Sequence, residues 1–329
     1  MKVALPLKLN CSSIFAPYAN EYIEWKQAVG FKMGLGIEVL NQFDKFCLQH
    51  SISEPIFTEE LMNKWSAKRP YENETNRSLR IGSIRSFAQF LRSKGIPVHC
   101  KFHKLPKPEK TFIPYIFTHD EIYRFFKAVD EFSTQCFGSK IRHLVMPLLY
   151  RMLYTCGLRI KEALLLKWAD VNLDNGTLLL LNTKGNKDRL VPMSNSLTIL
   201  CRDYCNNKLI KATNSEYFFP ARDGGWYDSS TIYDQFRQIL AIAGISHGGR
   251  GKGPRLHDLR HTFAVHLLAK WTADGKDLYV ALPILSTYLG HVELKSSQKY
   301  LRLVPEAYTE LTGMFEEKFG GVFPKDGDQ

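Results

Sequence analysis

The stretch LHDLRHTF, residues 256–263, places two imidazoles and a guanidinium on one side of a helix. His257, Arg260 and His261 stand at i, i+3 and i+4, while Leu256, Leu259, Phe263 and Leu267 recur as an apolar stripe on another side. A fixed cluster of that kind suits a phosphate, which accepts hydrogen bonds in fork geometry. The string is also a superficial match to the HExxH zinc pattern, with Asp258 in the glutamate place. Arg260 lies on the face of both histidines, where its charge opposes a dication, and no third ligand motif follows. The zinc hydrolase is therefore the weaker reading, and no metal is expected.

Three further stretches hold groups for acid–base or anion chemistry. In TCGLRIKEALLL, 155–166, Arg159 follows a glycine turn at the start of a helix and Glu162 comes three residues later. An ordinary surface pair has the same spacing. NTKGNKDR puts Lys184 at the tip of a β-hairpin, with Lys187 its neighbour. A hairpin-tip lysine is commonly solvated turn chemistry, but it also delivers an ammonium into a cleft as a general acid. In LSTYLGHVELKSSQKYLRL, 285–303, Gly290 ends a helix, His291 sits at the turn, and Tyr300 lies further on. Taken alone, these are a cap residue and a half-buried aromatic.

The elements that must position these groups are mostly helical. Met33, Ile37, Leu40, Phe43 and Cys47 mark one helix, and Thr58 with Glu59 and Glu60 starts a second. A third runs over 76–94 and is closed by Gly95 and Pro97. Its core side reads as Leu79, Ile84, Phe87 and Leu91. Its other side carries Arg77, Arg80, Arg85 and Arg92 among Gly82, Ser83 and Ser86, a face able to approach a phosphate backbone. A solvated basic face would look the same. Lysines and prolines then alternate through 101–114, including Lys101, Lys104 and Lys107, as an extended basic connector. The boundary falls here, giving a helical unit over 1–112 and a second over 113–329.

The second unit opens at THDE, where Thr118 and Glu121 form a capping box. Residues 141–156 read as a buried helix ending at Gly157, followed by a short helix. Asp174-Asn175-Gly176 is a turn, 177–182 a strand, Gly185-Asn186 a turn and 189–193 the returning strand. Helical patterns resume from 194. The fold class is mostly α with a small antiparallel sheet.

Composition narrows the partners. Lys+Arg 44 against Asp+Glu 33 gives +11 over 329 residues, which suits nucleic acid first and a membrane surface second. Seven cysteines without CxxC spacing suggest free thiols in a reducing cytoplasm; Cys201 and Cys205 lack companions for a zinc set. Lys8 interrupts the early apolar stretch, so no signal peptide is expected. Arg151 breaks the longest apolar run, 143–158, which is too short to span a bilayer.

Together TCGLRIKE, TKGNKDRLVPM, LHDLRHTFAVHLL and LGHVELKSSQKY resemble, in order, the motif boxes of the tyrosine recombinases, among them phage integrases and Xer-type and transposon-borne integrases. The resemblance covers about residues 115–305, and the helical N-terminal region is consistent with the family's core-binding domain. It implies that Arg159 and Arg260 neutralise the non-bridging oxygens of a scissile phosphate, with Glu162 in support. His257 and His291 add hydrogen bonds, Lys184 protonates the leaving 5′-oxygen, and Tyr300 is the nucleophile, in a site whose cations favour phenolate. His261 is assigned a supporting place. Tyr288 and Tyr308 lack the family's spacing. The resemblance further implies double-stranded DNA as partner, held by two domains as a clamp, self-association into a synaptic tetramer, and no cofactor. A topoisomerase-like relaxing enzyme and a catalytically silent DNA-binding protein of the same fold are the alternatives. The segment before the histidine box is longer than in Xer-type members, and its inserted WTADGKDL, 271–278, is expected to be a loop.

Overall fold

Five aromatic rings gather the N-terminal helices. Phe15, Phe43, Phe57, Trp65 and Phe87 are each at most 2 % exposed, with neighbouring ring centroids 5.0–6.4 Å apart. In the computed structural model, which describes residues 9–31, 33–100, 113–135, 141–181, 188–249, 252–291 and 293–303, these rings come from consecutive elements. Phe15 precedes α1 (Ala16–Ala28), Phe43 is on α2 (Gly34–Gln49), Phe57 on strand β1 (Phe57–Thr58), Trp65 on α3 (Glu59–Ser66) and Phe87 on α4 (Glu74–Ser93). Burying such rings contributes about 1.5–3 kcal/mol each, the main force closing the unit. The buried Asp44 of α2 accepts the backbone N–H groups of Ser12 and Ser13 at 3.0 and 2.8 Å, fixing the entry to α1. Thr58 caps α3 by accepting from Leu61 N–H, and Gly95, with φ of +79°, follows the end of α4. The expected helices are present. A parallel pairing of β1 with β2 (Val98–His99) was not expected, because two residues carry no readable period.

The face assignment on α4 needs correcting. Leu79 is 50 % exposed, and Ile81 takes its place in the core with Ile84, Phe87 and Leu91. Arg80 is 4 % exposed and cannot offer its charge to a phosphate. Its Nε and Nη2 donate to both carboxylate oxygens of Glu72 at 2.7 Å, and Nη1 and Nη2 donate to the carbonyls of Trp65 and Ala67. The indole of Trp65 also lies against the guanidinium, 4.9 Å from its ring centre. Arg80 is the clasp between α3 and α4. Arg77 is half-buried, donating to the Ser66 carbonyl and pairing with Glu74; Arg85 is half-buried and Arg92 exposed. Lys101, Lys104 and Lys107 lie outside the described residues.

The chain divides into two compact units, Met1–Phe112 and Ile113–Gln329. The second opens with α5 (His119–Gln135) behind the anticipated capping box: Thr118 Oγ1 accepts from Glu121 N–H at 3.1 Å, and Glu121 accepts from Thr118 N–H at 2.8 Å. Its centre is α6 (Arg142–Thr155), whose Val145, Met146, Leu149, Tyr150 and Met152 are fully buried. Then come the short α7 (Ile160–Leu164), a 3₁₀ turn (Trp168–Asp170), and an antiparallel sheet of β3 (Val171–Asn172), β4 (Thr177–Leu180) and β5 (Arg189–Pro192). Leu178 faces Val191 across β4 and β5, both fully buried. The third strand, β3, was not anticipated, and the hairpin tip with Lys184, Gly185, Asn186 and Lys187 is outside the described residues. Helices α8 (Asn195–Asn206), α9 (Lys208–Lys211) and α10 (Ser229–Ile242) cover this core.

Three final helices, α11 (Asp258–Ala273), α12 (Leu278–Leu289) and α13 (Lys295–Leu301), share a smaller core of Ala264, Leu268, Leu285, Leu289 and Tyr300. The stretch 271–278 is not wholly a loop. Trp271 to Ala273 continue α11, because Trp271 lies one turn beyond Leu267 and prolongs its stripe. Gly275, at φ +69°, makes the break, and Asp277 caps α12 by accepting from Tyr279 N–H at 2.7 Å. Among the described residues no helix is long and apolar enough to cross a membrane.

Removing the Arg80 clasp leaves a nearly buried carboxylate and two carbonyls unsatisfied. Arg80→Ala is expected to lower the stability of the first unit by about 3 kcal/mol, whereas exposed Arg92→Ala changes it by under about 0.5 kcal/mol. Urea unfolding of the two variants checks this, and equal, small losses would contradict it.

Candidate active site

One carboxylate organises the site. Glu162, on the first turn of α7, accepts the backbone N–H of Arg159 at 2.9 Å and Arg159 Nη1 at 2.6 Å. Arg189, at the start of β5, grips both oxygens in fork geometry at 2.9 and 2.8 Å, and Arg260 Nη1 stands 3.9 Å away. Burial pushes the Glu162 carboxyl up, but the hydrogen bonds and charge of Arg189, then the donors of Arg159, hold it down at about 2. Three guanidiniums share one carboxylate, so two positive charges remain uncompensated in the cluster.

The arginines also join helix ends. Arg260, 1 % exposed, donates to the carbonyls of Gly157 and Leu289 at 2.7 and 2.5 Å, orphan acceptors at the ends of α6 and α12. Arg159 Nη2 donates to the Gly290 carbonyl at 3.0 Å, and Arg189 Nε to Tyr288 O at 3.0 Å. Close packing here demands glycine. A Cβ on Gly157 would stand 2.6 Å from the Phe263 ring, and one on Gly290 2.9 Å from the Arg189 guanidinium; both residues have positive φ. After Gly290 the His291 N–H returns to Ser286 O at 3.0 Å, a Schellman ending that delivers His291 to the cluster. Its Nδ1 meets Ser297 Oγ at 2.6 Å, which fixes the ring.

Tyr300 is fully buried on α13. Its Oη is hydrogen-bonded to His261 Nδ1 at 2.9 Å, and its ring lies stacked beside His291 with centroids 6.1 Å apart. The His257 ring meets His261 edge to face at 4.7 Å. Burial raises the Tyr300 phenol to about 12, outweighing the pull of Arg260 and Arg159, so the expected phenolate is not the form this arrangement favours. Burial and then His257, Lys299, Arg260 and His291 push His261 down to about 2. His291 falls to about 3, through burial first and Arg260 and Arg159 next. His257 keeps an exposed edge, yet the packed atoms around it, then Arg260, Lys299 and Arg159, bring it to about 4. All three imidazoles are neutral at pH 7.

Of the residues singled out by spacing, Arg159, Glu162, His257, Arg260, His261, His291 and Tyr300 are brought together; Lys184 and Tyr308 lie outside the described residues. Tyr288 is a neighbour whose Oη donates to Pro192 O at 3.5 Å. Arg189 and Ser297 were missed. Arg189 had a signal: it precedes the buried Val191 by two, so strand alternation turns an arginine inward. Ser297 is one helical turn before Tyr300 and shares its buried face.

Because the folded imidazoles titrate at about 4, 3 and 2 against about 6.5 when unfolded, the unfolded chain binds protons that the folded one refuses. Their contribution to stability is full above about 6.5 and is lost as pH falls toward the folded values. Glu162 acts lower, losing its contribution only as pH falls toward about 2. The urea midpoint of the second unit should therefore drop from pH 7 toward pH 5. His261→Asn should remove about 1.4 kcal/mol per pH unit from that slope, and an unchanged slope would refute the neutral, buried imidazole.

Comparison with known proteins bears on this geometry. Residues 116–306 match the model of the phage integrase family. "Putative integrase/recombinase y4rB" of Sinorhizobium fredii is 32% identical over 314 residues, 93% of this chain and 98% of that protein. Tyrosine recombinase XerD of Rhizobium meliloti is 27% identical over 239 residues, 72% of this chain and 73% of its own. In fold the chain is similar to XerH recombinase bound to a difH substrate in a pre-cleavage complex, with TM-score 0.62, 21% identity, and coverage of 86% of this chain and 80% of that one. With a family match across most of the second unit and an integrase/recombinase relative along nearly its whole length, this chain belongs to the phage integrase family and is a site-specific tyrosine recombinase.

Proposed function

We propose that the site cuts one strand of duplex DNA by attack of Tyr300 Oη on a phosphorus. The product is a 3′-phosphotyrosyl link and a free 5′-hydroxyl. The observation that carries this reading is the surplus of two positive charges around Glu162 beside the hydrogen-bonded Tyr300 hydroxyl. A phosphodiester carries one negative charge, and its pentavalent transition state gathers a second. A preorganised cluster of +2 stabilises the transition state more than the ground state. Arg159 and the donors that Arg260 does not spend on carbonyls bind the non-bridging oxygens, while His257 and His291 supply neutral hydrogen bonds. Glu162 and Arg189 hold the arginines without touching the phosphate.

Lys184 is proposed as the acid that protonates the leaving 5′-oxygen. The covalent link conserves the energy of the broken bond, so rejoining to a different strand completes recombination. XerH, similar in fold, is bound to a difH substrate, and the Tn1549 transposon integrase, also similar in fold, is in complex with a circular intermediate DNA. For this chain we assign duplex contacts to Arg77, Arg85, Arg92, Lys101, Lys104 and Lys107, without Arg80, and take the working assembly to be a tetramer that brings two duplexes together.

Tyr300→Phe removes only the phenolic oxygen. It should keep DNA affinity and lose every protein–DNA adduct that survives denaturation, while Tyr288→Phe and Tyr308→Phe keep theirs. Persistent adducts with Tyr300→Phe would move the nucleophile.

Lys184→Ala should cleave slowly, because an alkoxide leaves poorly without a proton. Replacing the bridging 5′-oxygen by sulfur gives a thiolate, with a thiol pKa of about 8.5, which leaves unaided. The Lys184→Ala defect should then largely vanish, while an Arg159→Ala defect persists. Failure of sulfur to rescue Lys184→Ala, or rescue of Lys187→Ala instead, would remove Lys184 from this role.

A further inference from the structure

The tyrosine nucleophile must lose a proton, and three imidazoles surround it. Their geometry separates them. His291 presents its ring face to Tyr300, with planes inclined by 26°, and its Nδ1 is engaged by Ser297 at 2.6 Å. A stacked ring does not aim an in-plane lone pair at the phenolic oxygen. His257 meets His261 edge to face at 4.7 Å and makes no hydrogen bond to Tyr300 Oη among the described residues. His261 alone among the described residues hydrogen-bonds Tyr300 Oη, through Nδ1 at 2.9 Å, with both residues buried.

We propose that His261 is the proton acceptor for Tyr300 and is a catalytic residue of the strand-transfer reaction. The inference rests on the phosphotyrosine reading given above. With its own proton on Nε2, His261 accepts the Tyr300 O–H at Nδ1. During cleavage the Oη–P bond forms, the P–O5′ bond breaks, the phenolic proton passes to Nδ1, and the 5′-oxygen takes a proton from the site's acid. In rejoining, the attacking 5′-hydroxyl returns its proton to the conjugate base of that acid, the Oη–P bond breaks as the P–O5′ bond forms, and the proton on Nδ1 returns to Oη.

The surroundings make this transfer conditional on DNA. Burial disfavours an imidazolium at His261, and so do His257 just before α11, Lys299 on α13, Arg260 on α11 and His291 after α12. Asp258 is the nearby acidic group among those acting on Tyr300. Burial keeps the phenol protonated as well, so the pair rests as neutral O–H and neutral nitrogen. A phosphodiester entering between Arg159 and Arg260 neutralises part of that field. As Oη bonds to phosphorus, the negative charge moves onto the phosphoryl oxygens rather than remaining on a phenolate. A proton on Nδ1 then sits beside a developing dianion. The nucleophile is switched on by the group it attacks.

The test is single-turnover cleavage of a nicked duplex that traps the covalent adduct, with wild type, His261→Ala and His261→Asn, across pH. Asparagine keeps an acceptor near the Nδ1 position but cannot hold a proton. DNA affinity and the unfolding midpoint of each variant check that the fold is retained. We expect both variants to form adduct at least about 100-fold more slowly at pH 7, with the deficit shrinking as pH rises. Added imidazole should restore His261→Ala, and substituted imidazoles should do so in order of their basicity. His261→Asn cleaving at the wild-type rate would reduce His261 to a positioning residue and overturn the proposal. So would a deficit indifferent to pH and to imidazole, or faster cleavage by His261→Ala, which would make the contact a latch. Failure of the wild type itself to form a Tyr300-linked adduct would instead remove the function on which this inference rests.

Discussion

The carboxylate of Glu162 is the point on which the second unit's geometry depends. It is nearly buried, and only the donors of Arg159 and Arg189 make its ionised form tenable there. Each of these arginines, and Arg260, also holds a backbone carbonyl at the end of α12. The ion cluster is therefore a junction of α7, β5, α11 and α12 as well as a store of positive charge. Like-charged guanidiniums this close repel one another, and one shared anion lets them coexist without cancelling their surplus.

That surplus acts together with burial on the protonation pattern around it. Burial first, and then the field of neighbouring cations, suppresses any further positive charge and keeps His257, His261 and His291 neutral. The same burial defeats the cations at Tyr300, where removal of water outweighs Coulomb attraction. Motif chemistry alone favours a phenolate, since it counts charges and not hydration. A neutral tyrosine held by a neutral imidazole suits an enzyme that must stay unreactive until a phosphate occupies the site.

The first unit shows the same physics used for structure alone. Arg80 and Glu72 meet between α3 and α4 with nearly every donor matched, against the face of Trp65. An arginine among basic neighbours on one helix is indistinguishable, by spacing, from those that face solvent. Only its partner eight residues earlier, beyond a turn, gives it a different task.

Local rules carried much of this protein in its sequence. The capping box of Thr118 and Glu121, the glycine ends of α4, α6 and α12, and the antiparallel pairing of β4 with β5 depend on nearby residues in the chain. The spacing of Arg159, Glu162, His257, Arg260, His291 and Tyr300 likewise marked the residues that converge, because each box is a short local pattern. Tertiary structure decided what those patterns do not encode. It brought Arg189 to Glu162 across 27 residues and His261 to Tyr300 across 39. It also turned Arg80 inward, paired β1 with β2, and set the protonation of the buried groups. Each of these depends on how much water the complete fold removes and on which distant partner fills its place, neither of which is a property of a short stretch of chain.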